Sequence, residues 1–193
     1  MHHWDFGAAS FRRSRESVRK VLLGGVLLGG ALVAGPAEAY ERQWHVGLDA
    51  GYALTSFPGL LGHGFDAGLH ATYGITDAFN LRVHSDVSAM DLPDPATSAV
   101  LVNAAFGGEY VFDVLQWVPY IGATVGPNTV LVQKSPTVVR VCLEVPLGLG
   151  YQITRNWTIG GELRYRLLLL ANGDISPGNN FLALARAEYA WGS

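Results

Sequence analysis

Over most of this chain, apolar and polar residues alternate with a period of two, the pattern of β-strands. In "QWHVGLDAGYAL", Trp44, Val46, Leu48, Ala50, Tyr52 and Leu54 share one face, opposite His45, Gly47, Asp49, Gly51 and Ala53. In "HGFDAGLHATYG", Phe65, Ala67, Leu69, Ala71 and Tyr73 alternate with Gly64, Asp66, Gly68, His70 and Thr72. A tight turn at "ITDA" leads into "FNLRVHSD", where Phe79, Leu81 and Val83 oppose Asn80, Arg82 and His84. The same reading covers "AVLVNAAFGGEYVF", "TVVRVCLEVPLGLGY", "WTIGGELRYR" and "NFLALARAEYAW". In "WVPYIGATVG" the faces are ambiguous, because Pro119 and Tyr120 compete for the outward position. Eight strands are predicted, with no useful helical period.

The connections differ in kind along the chain. Short ones fall near 75–78, 113–116 and 152–156, and longer stretches rich in Pro, Gly and Asp near 55–62, 86–98, 127–137 and 171–179. "VSAMDLPDPATS" and "PNTVLVQKSP" both read as loops on their prolines, though "TVLVQ" could extend the flanking strand. Alternating short and long connections between antiparallel strands predict an all-β fold: an eight-stranded antiparallel up-and-down transmembrane β-barrel, with short periplasmic turns and longer extracellular loops.

Which face points outward decides the chemistry. The apolar face is nearly continuous on every strand and tends to begin or end on an aromatic residue, as membrane-interface girdles do. The complementary face holds mostly glycine, alanine and a few charges, a poor surface to offer water. With the apolar face outward, eight strands enclose an interior barely wide enough for side chains. The charges then become a lumen network: Asp49, Arg82, Glu109, Arg140, Glu144, Glu162, Arg164, Arg166, Arg186 and Glu188, with Asp66 as a further interior acid. Buried charge must be paired or hydrated, so this near-balance predicts a salt-bridged plug. Folding the chain about Thr154 places Glu144 opposite Arg164. Folding it about Ile175 places Glu162 opposite Glu188 and Arg164 opposite Arg186 unless the strands slip by two. Like pairs directly opposite are unfavourable, so Glu144, Glu162, Arg164, Arg186 and Glu188 are expected to form one interstrand network.

Composition agrees with this picture. The 193 residues are 49% hydrophobic and only 15% charged, against about a quarter or more charged on a typical soluble surface. The N-terminus stands apart: "FRRSRESVRK" is basic, "VLLGGVLLGGALVAG" is apolar and free of charge, and "PAEA" supplies small residues at Ala37 and Ala39. That sequence of regions predicts a signal peptide over 1–39, cleaved after Ala39, followed by a barrel domain over 40–193. The apolar run is short for a membrane anchor, which needs about 20 residues. From Tyr40 onward there are eight Lys/Arg against thirteen Asp/Glu, a formal charge of −5. With no basic patch, no nucleic-acid partner is expected.

Candidate chemistry is sparse. Cys142 is the one cysteine, which excludes an intrachain disulfide and a thiolate metal cluster. "HSD" (His84, Ser85, Asp86) holds the residue types of a nucleophilic site, but neighbours on a strand point to opposite faces. His45, His63 and His70 are dispersed along the chain. No catalytic residue, metal or cofactor is expected.

"GLHATYGITDAFNLRV", "VPYIGATVG" and "LGLGYQITRNWTIGGELRYR" resemble the small eight-stranded outer-membrane barrels of the OmpA/OmpX/OmpW type, over roughly residues 44–191. The resemblance rests on a strand ending in Tyr, a short "IT" turn and an aromatic restart. It implies a location in the outer membrane of a Gram-negative bacterium, contact with outer-membrane lipid, and insertion by the barrel-assembly machinery as a monomer. Ala187, Tyr189 and Trp191 resemble the C-terminal assembly signal, although Gly192 and Ser193 follow the final aromatic. With no peptidoglycan-binding domain expected after the barrel, that role of the OmpA group is not implied.

The expected function is a non-enzymatic barrel with a structural or interaction role and a largely plugged lumen. Three alternatives stay open: a narrow channel for small or hydrophobic solutes, a soluble lipocalin-like carrier, and an outer-membrane lipid-modifying enzyme.

Overall fold

Each alternating segment forms one strand: β1 (Trp44–Phe57), β2 (Leu60–Thr76), β3 (Phe79–Asp91), β4 (Ser98–Val111), β5 (Trp117–Val132), β6 (Val138–Gln152), β7 (Trp157–Leu169) and β8 (Gly178–Trp191). The computed structural model describes residues 42–57, 60–92, 98–112, 116–132, 136–169 and 178–192. The expected leader over 1–39 lies outside them. Each strand pairs antiparallel with its chain neighbours, and β1 pairs with β8 to close the barrel.

Closure carries a stagger. Following the partners of His45 once around the barrel leads through Thr72, Arg82, Gly107, Thr124, Glu144, Arg166 and Asn180 to Thr55, ten residues further along β1. Such a shear tilts the strands and fixes the barrel's width. It also brings residues far apart in sequence to one level of the interior.

Two of the short turns share a device. Thr76 Oγ1 accepts from the backbone N–H of Phe79 at 3.1 Å, and Thr154 Oγ1 accepts from that of Trp157 at 3.1 Å. In each, a threonine hydroxyl stands in for a turn carbonyl, and an aromatic residue restarts the strand. At this end of the barrel ring pairs meet across strands: Trp44 with Tyr73 at 4.7 Å between centroids, Trp117 with Tyr151 at 4.9 Å, and Trp157 with Tyr189 at 5.2 Å.

The strands outrun their expected boundaries at the other end. Val87–Asp91 belongs to β3, where a loop was expected, and Pro127–Val132 to β5, the strand extension that "TVLVQ" had left open. The proline at 127 turns its ring outward; it has no N–H for the ladder, and the β4–β5 pairing lapses there, between Asn128 and Val125. The ambiguity at 119–120 resolves with Pro119 outward and Tyr120 buried in the lumen.

Every strand turns its apolar side out. Leu48, Leu61, Phe65 and Phe106 are among the large apolar side chains more than half exposed, whereas the inward set is polar and buried over most of the barrel's length. The exceptions are a small cluster of Val111, Val118 and Tyr120 near the 113–116 turn and a larger one at the long-loop end. There Ala53, Met90, Ala99, Leu101, Val130, Leu182 and Leu184 pack into an apolar cluster inside the barrel.

Candidate functional site

The lumen holds a continuous network of charges. Alternation alone sends Asp49, Arg82, Asp86, Glu109, Glu144, Glu162, Arg164, Arg166, Arg186 and Glu188 inward, and all ten are buried. Glu162, on β7, sits at the centre. Its carboxylate accepts from Arg82 Nη1 at 2.7 Å, Arg164 Nε at 2.8 Å, Arg186 Nη1 at 3.2 Å and the Tyr120 hydroxyl at 2.6 Å. Three strands thus each supply one guanidinium to a single carboxylate.

Two branches leave this hub. In the first, Arg164 Nη1 donates to Asp86 at 3.0 Å, Asp86 accepts twice from Arg166 Nη2 at 2.9 and 2.8 Å, and Arg166 Nε donates to Glu144 at 2.6 Å. Glu144 also accepts from Asn103 Nδ2 at 2.8 Å and lies 2.8 Å from His84 Nε2. In the second, Arg186 Nε donates to Glu188 at 2.9 Å, and Glu188 meets His45 Nδ1 at 2.7 Å and His70 Nε2 at 3.1 Å. His70 Nδ1 reaches Asp49 at 2.9 Å, and Asp49 lies 3.5 Å from Arg164 Nη2. The second branch therefore returns to the hub and closes a ring of side chains. Glu109 joins through Arg82 at 3.3 Å.

Glu144, Glu162, Arg164, Arg186 and Glu188 are joined by this network, but in a different register from the one expected. Glu144 stands opposite Arg166 rather than Arg164, a slip of two residues. Glu162 faces Leu184, Arg164 faces Leu182 and Glu188 faces Thr158, so the like-charge pairs expected opposite one another do not occur. The physical reason is the repulsion that made them unfavourable: between β7 and β8 the observed stagger puts an apolar or neutral residue opposite each charge. Arg140 is half-buried near the long-loop end, opposite Asn128.

Several participants were missed by sequence reasoning. Asp86 lies at the start of the stretch read as a loop, although it continues the inward alternation of Asn80, Arg82 and His84. Tyr120 was hidden by the ambiguity with Pro119. The Arg186 guanidinium lies 4.7 Å from the centre of its ring, so this one side chain gives a hydroxyl to an anion and a π-face to a cation. Asp66 accepts from Ser88 Oγ at 2.5 Å.

The arrangement fits charge storage better than chemistry. His84 points inward while Ser85 points outward, its hydroxyl donating to the Asn103 carbonyl at 2.9 Å, so the two form no nucleophile–base pair. His84, Asp86 and Glu144 do bring donor atoms within 4.8 Å of one another. Their carboxylates already accept from Arg164 and Arg166, so guanidinium protons fill the place a cation would take. Cys142 is buried, with Sγ 3.2 Å from the Gly126 carbonyl. Ala187, Tyr189 and Trp191 form the outward face of β8.

No protein-family model and no curated protein sequence matches the chain. Solved structures do match its fold. Neisserial surface protein A superposes with a TM-score of 0.62 at 24% identity, covering 76% of this chain and 96% of that one. Ail, the attachment invasion locus protein of Yersinia pestis, gives 0.54 at 12% identity, covering 78% and 99%. The outer membrane protein OprG of Pseudomonas aeruginosa gives 0.51 at 10% identity, covering 79% and 98%. The fold is that of small Gram-negative outer-membrane barrels.

Proposed function

We propose that this protein is a monomeric, non-enzymatic β-barrel of a Gram-negative outer membrane, with a structural or interaction role and a closed lumen. Residues 1–39 act as an export signal cut after Ala39, and residues 40–193 form the mature barrel. The observation that carries this reading is the inversion of polarity. The outer wall exposes leucine, valine or aromatic side chains on every strand, while eleven acidic and basic residues lie buried inside. Such a wall suits hydrocarbon, and a closed sheet satisfies its backbone without an edge, as a spanning segment requires. Strands of 13 to 17 residues exceed the roughly 9–11 needed to cross a bilayer at a tilt. They extend the barrel past the hydrocarbon at the long-loop end.

Lipid is then the partner of the outer wall. The barrel-assembly machinery recognises Ala187, Tyr189 and Trp191 during insertion. The lumen network ties strands distant in sequence to one another, which gives a rigid platform for the connections at the long-loop end. The test is cell fractionation of the expressed full chain with electrophoresis of heated and unheated samples. Recovery in the outer-membrane fraction, with heat-modifiable migration and loss of the 39-residue leader, is the expected result. A soluble periplasmic pool would instead establish the lipocalin-like carrier.

A further inference from the structure

Buried carboxylates outnumber fully buried guanidiniums in the lumen. Among the described residues, seven carboxylates are buried in the lumen (Asp49, Asp66, Asp86, Glu109, Glu144, Glu162 and Glu188) against four guanidiniums (Arg82, Arg164, Arg166 and Arg186). Three imidazoles, those of His45, His70 and His84, are buried with them. Each meets a carboxylate, at 2.7 Å from Glu188, 2.9 Å from Asp49 and 2.8 Å from Glu144 respectively. Such a contact favours the doubly protonated ring only where both nitrogens can donate.

His70 makes the strongest case, because both its ring nitrogens face carboxylates: Nδ1 faces Asp49 at 2.9 Å and Nε2 faces Glu188 at 3.1 Å. A neutral imidazole has one N–H and one lone pair, so it would set a lone pair against a carboxylate oxygen on one side. Only the doubly protonated ring donates to both. The sequence makes room for it at Gly47, where a Cβ would fall 2.5 Å from Nε2.

The position of these contacts matters. Asp49 is on β1 and Glu188 on β8, the two strands whose pairing closes the barrel. His45, also on β1, makes a second tie to Glu188. We propose that His70 is a proton-operated clasp on the β1–β8 seam: doubly protonated, it joins the first strand to the last, and losing a proton loosens the closure.

The surrounding charges fit this role. From β8, Arg186 holds Glu188, and from β7, Arg164 lies 3.5 Å from Asp49. From β3, His84 is directly opposite His70 but is engaged by Glu144, while Arg82 is engaged by Glu162. On β2 itself, Asp66 is bonded to Ser88. Both acceptors of the clasp therefore keep a guanidinium when the imidazole loses its charge, so the seam weakens without unfolding. A cavity of about 30 Å³ near the short turns is lined by Asn80, Glu109, Arg186 and Glu188. It has room for about two waters beside Glu188.

Imidazole ordinarily titrates near pH 6.5. The closed seam binds the extra proton, so its stability is present at low pH and lost as pH rises. The test uses the full barrel folded in detergent micelles. Ring nitrogen resonances of ¹⁵N-histidine-labelled protein at pH 6 should show His70 protonated on both nitrogens, and a neutral single tautomer there would overturn the proposal. Urea unfolding between pH 6 and 9 gives the second measurement. The folding equilibrium constant should fall more steeply in the wild type than in His70→Asn, by up to about tenfold per pH unit for one proton. His63→Asn, which alters an exposed outward histidine, should keep the wild-type slope. If His70→Asn fails to fold, Asp49→Asn removes the same tie and should flatten the slope in its place. Equal slopes in wild type and variant would also sink the proposal.

Discussion

Glu144 on β6 and Arg166 on β7 stand directly opposite one another, joined by a 2.6 Å bond from Arg166 Nε to Glu144 Oε1. Both are buried, so neither can turn to water when the other is removed. Breaking a buried pair by deleting one member leaves an uncompensated charge and costs about 3–5 kcal/mol. Arg166→Gln and Glu144→Gln should each lower unfolding stability in micelles by an amount in that range. The double variant should cost clearly less than the sum of the two, because it removes the stranded charge.

Tyr120 offers a way to separate its two contacts. Tyr120→Phe keeps the ring beneath Arg186 and deletes the hydroxyl that donates to Glu162 at 2.6 Å. A hydrogen bond to a charged group contributes about 1.5–3 kcal/mol, so the urea midpoint should drop accordingly. Tyr120→Leu should lose more, since the cation–π contact goes too. Equal effects would show that the ring face contributes nothing.

Gly148 is fixed by the same tyrosine. A Cβ at this position would fall 2.1 Å from Tyr120 Cζ, so Gly148→Ala should block folding or cost more than the about 1–3 kcal/mol usual for overpacking. Combining it with Tyr120→Leu should recover folding, measured as the heat-modifiable band.

Strand count, strand order and the inward or outward sense of nearly every residue were legible, because period two encodes a face directly. What alternation cannot encode is register. The expected pairing of Glu144 with Arg164 missed by two residues, a slip that leaves every side chain on its own face and so goes unseen in the pattern. Asp86 was obscured by the prolines downstream, which made the stretch from Val87 read as a loop, whereas β3 runs on to Asp91. The histidines looked dispersed because His45, His70 and Glu188 are joined only through the β1–β8 closure, and no local feature of the sequence marks it.

The outer wall makes its own prediction. Leu69 lies midway along β2 and is 58% exposed. If it faces hydrocarbon, Leu69→Arg should cost about 2–4 kcal/mol in lipid vesicles, whereas Trp191→Arg, near the rim, should cost about 0–1 kcal/mol through its charge. A soluble carrier would show the opposite order or none.

The lumen is filled twice over, and this bears on whether it conducts. Toward the short turns the charged network crosses it. Toward the long-loop end Leu101 and Leu182, both fully buried, pack with Met90, Val130 and Leu184. Leu182→Ala should cost about 2–5 kcal/mol, the range for a large-to-small change in a packed interior, yet leave planar bilayers silent because the charged layer still spans the lumen. Glu162→Ala should be silent for the converse reason: it strands Arg82, Arg164 and Arg186 but leaves the apolar layer intact. Only the combined variant opens both layers, and discrete current steps should appear in it alone. Steps in either single variant would mean that one layer carries the whole barrier.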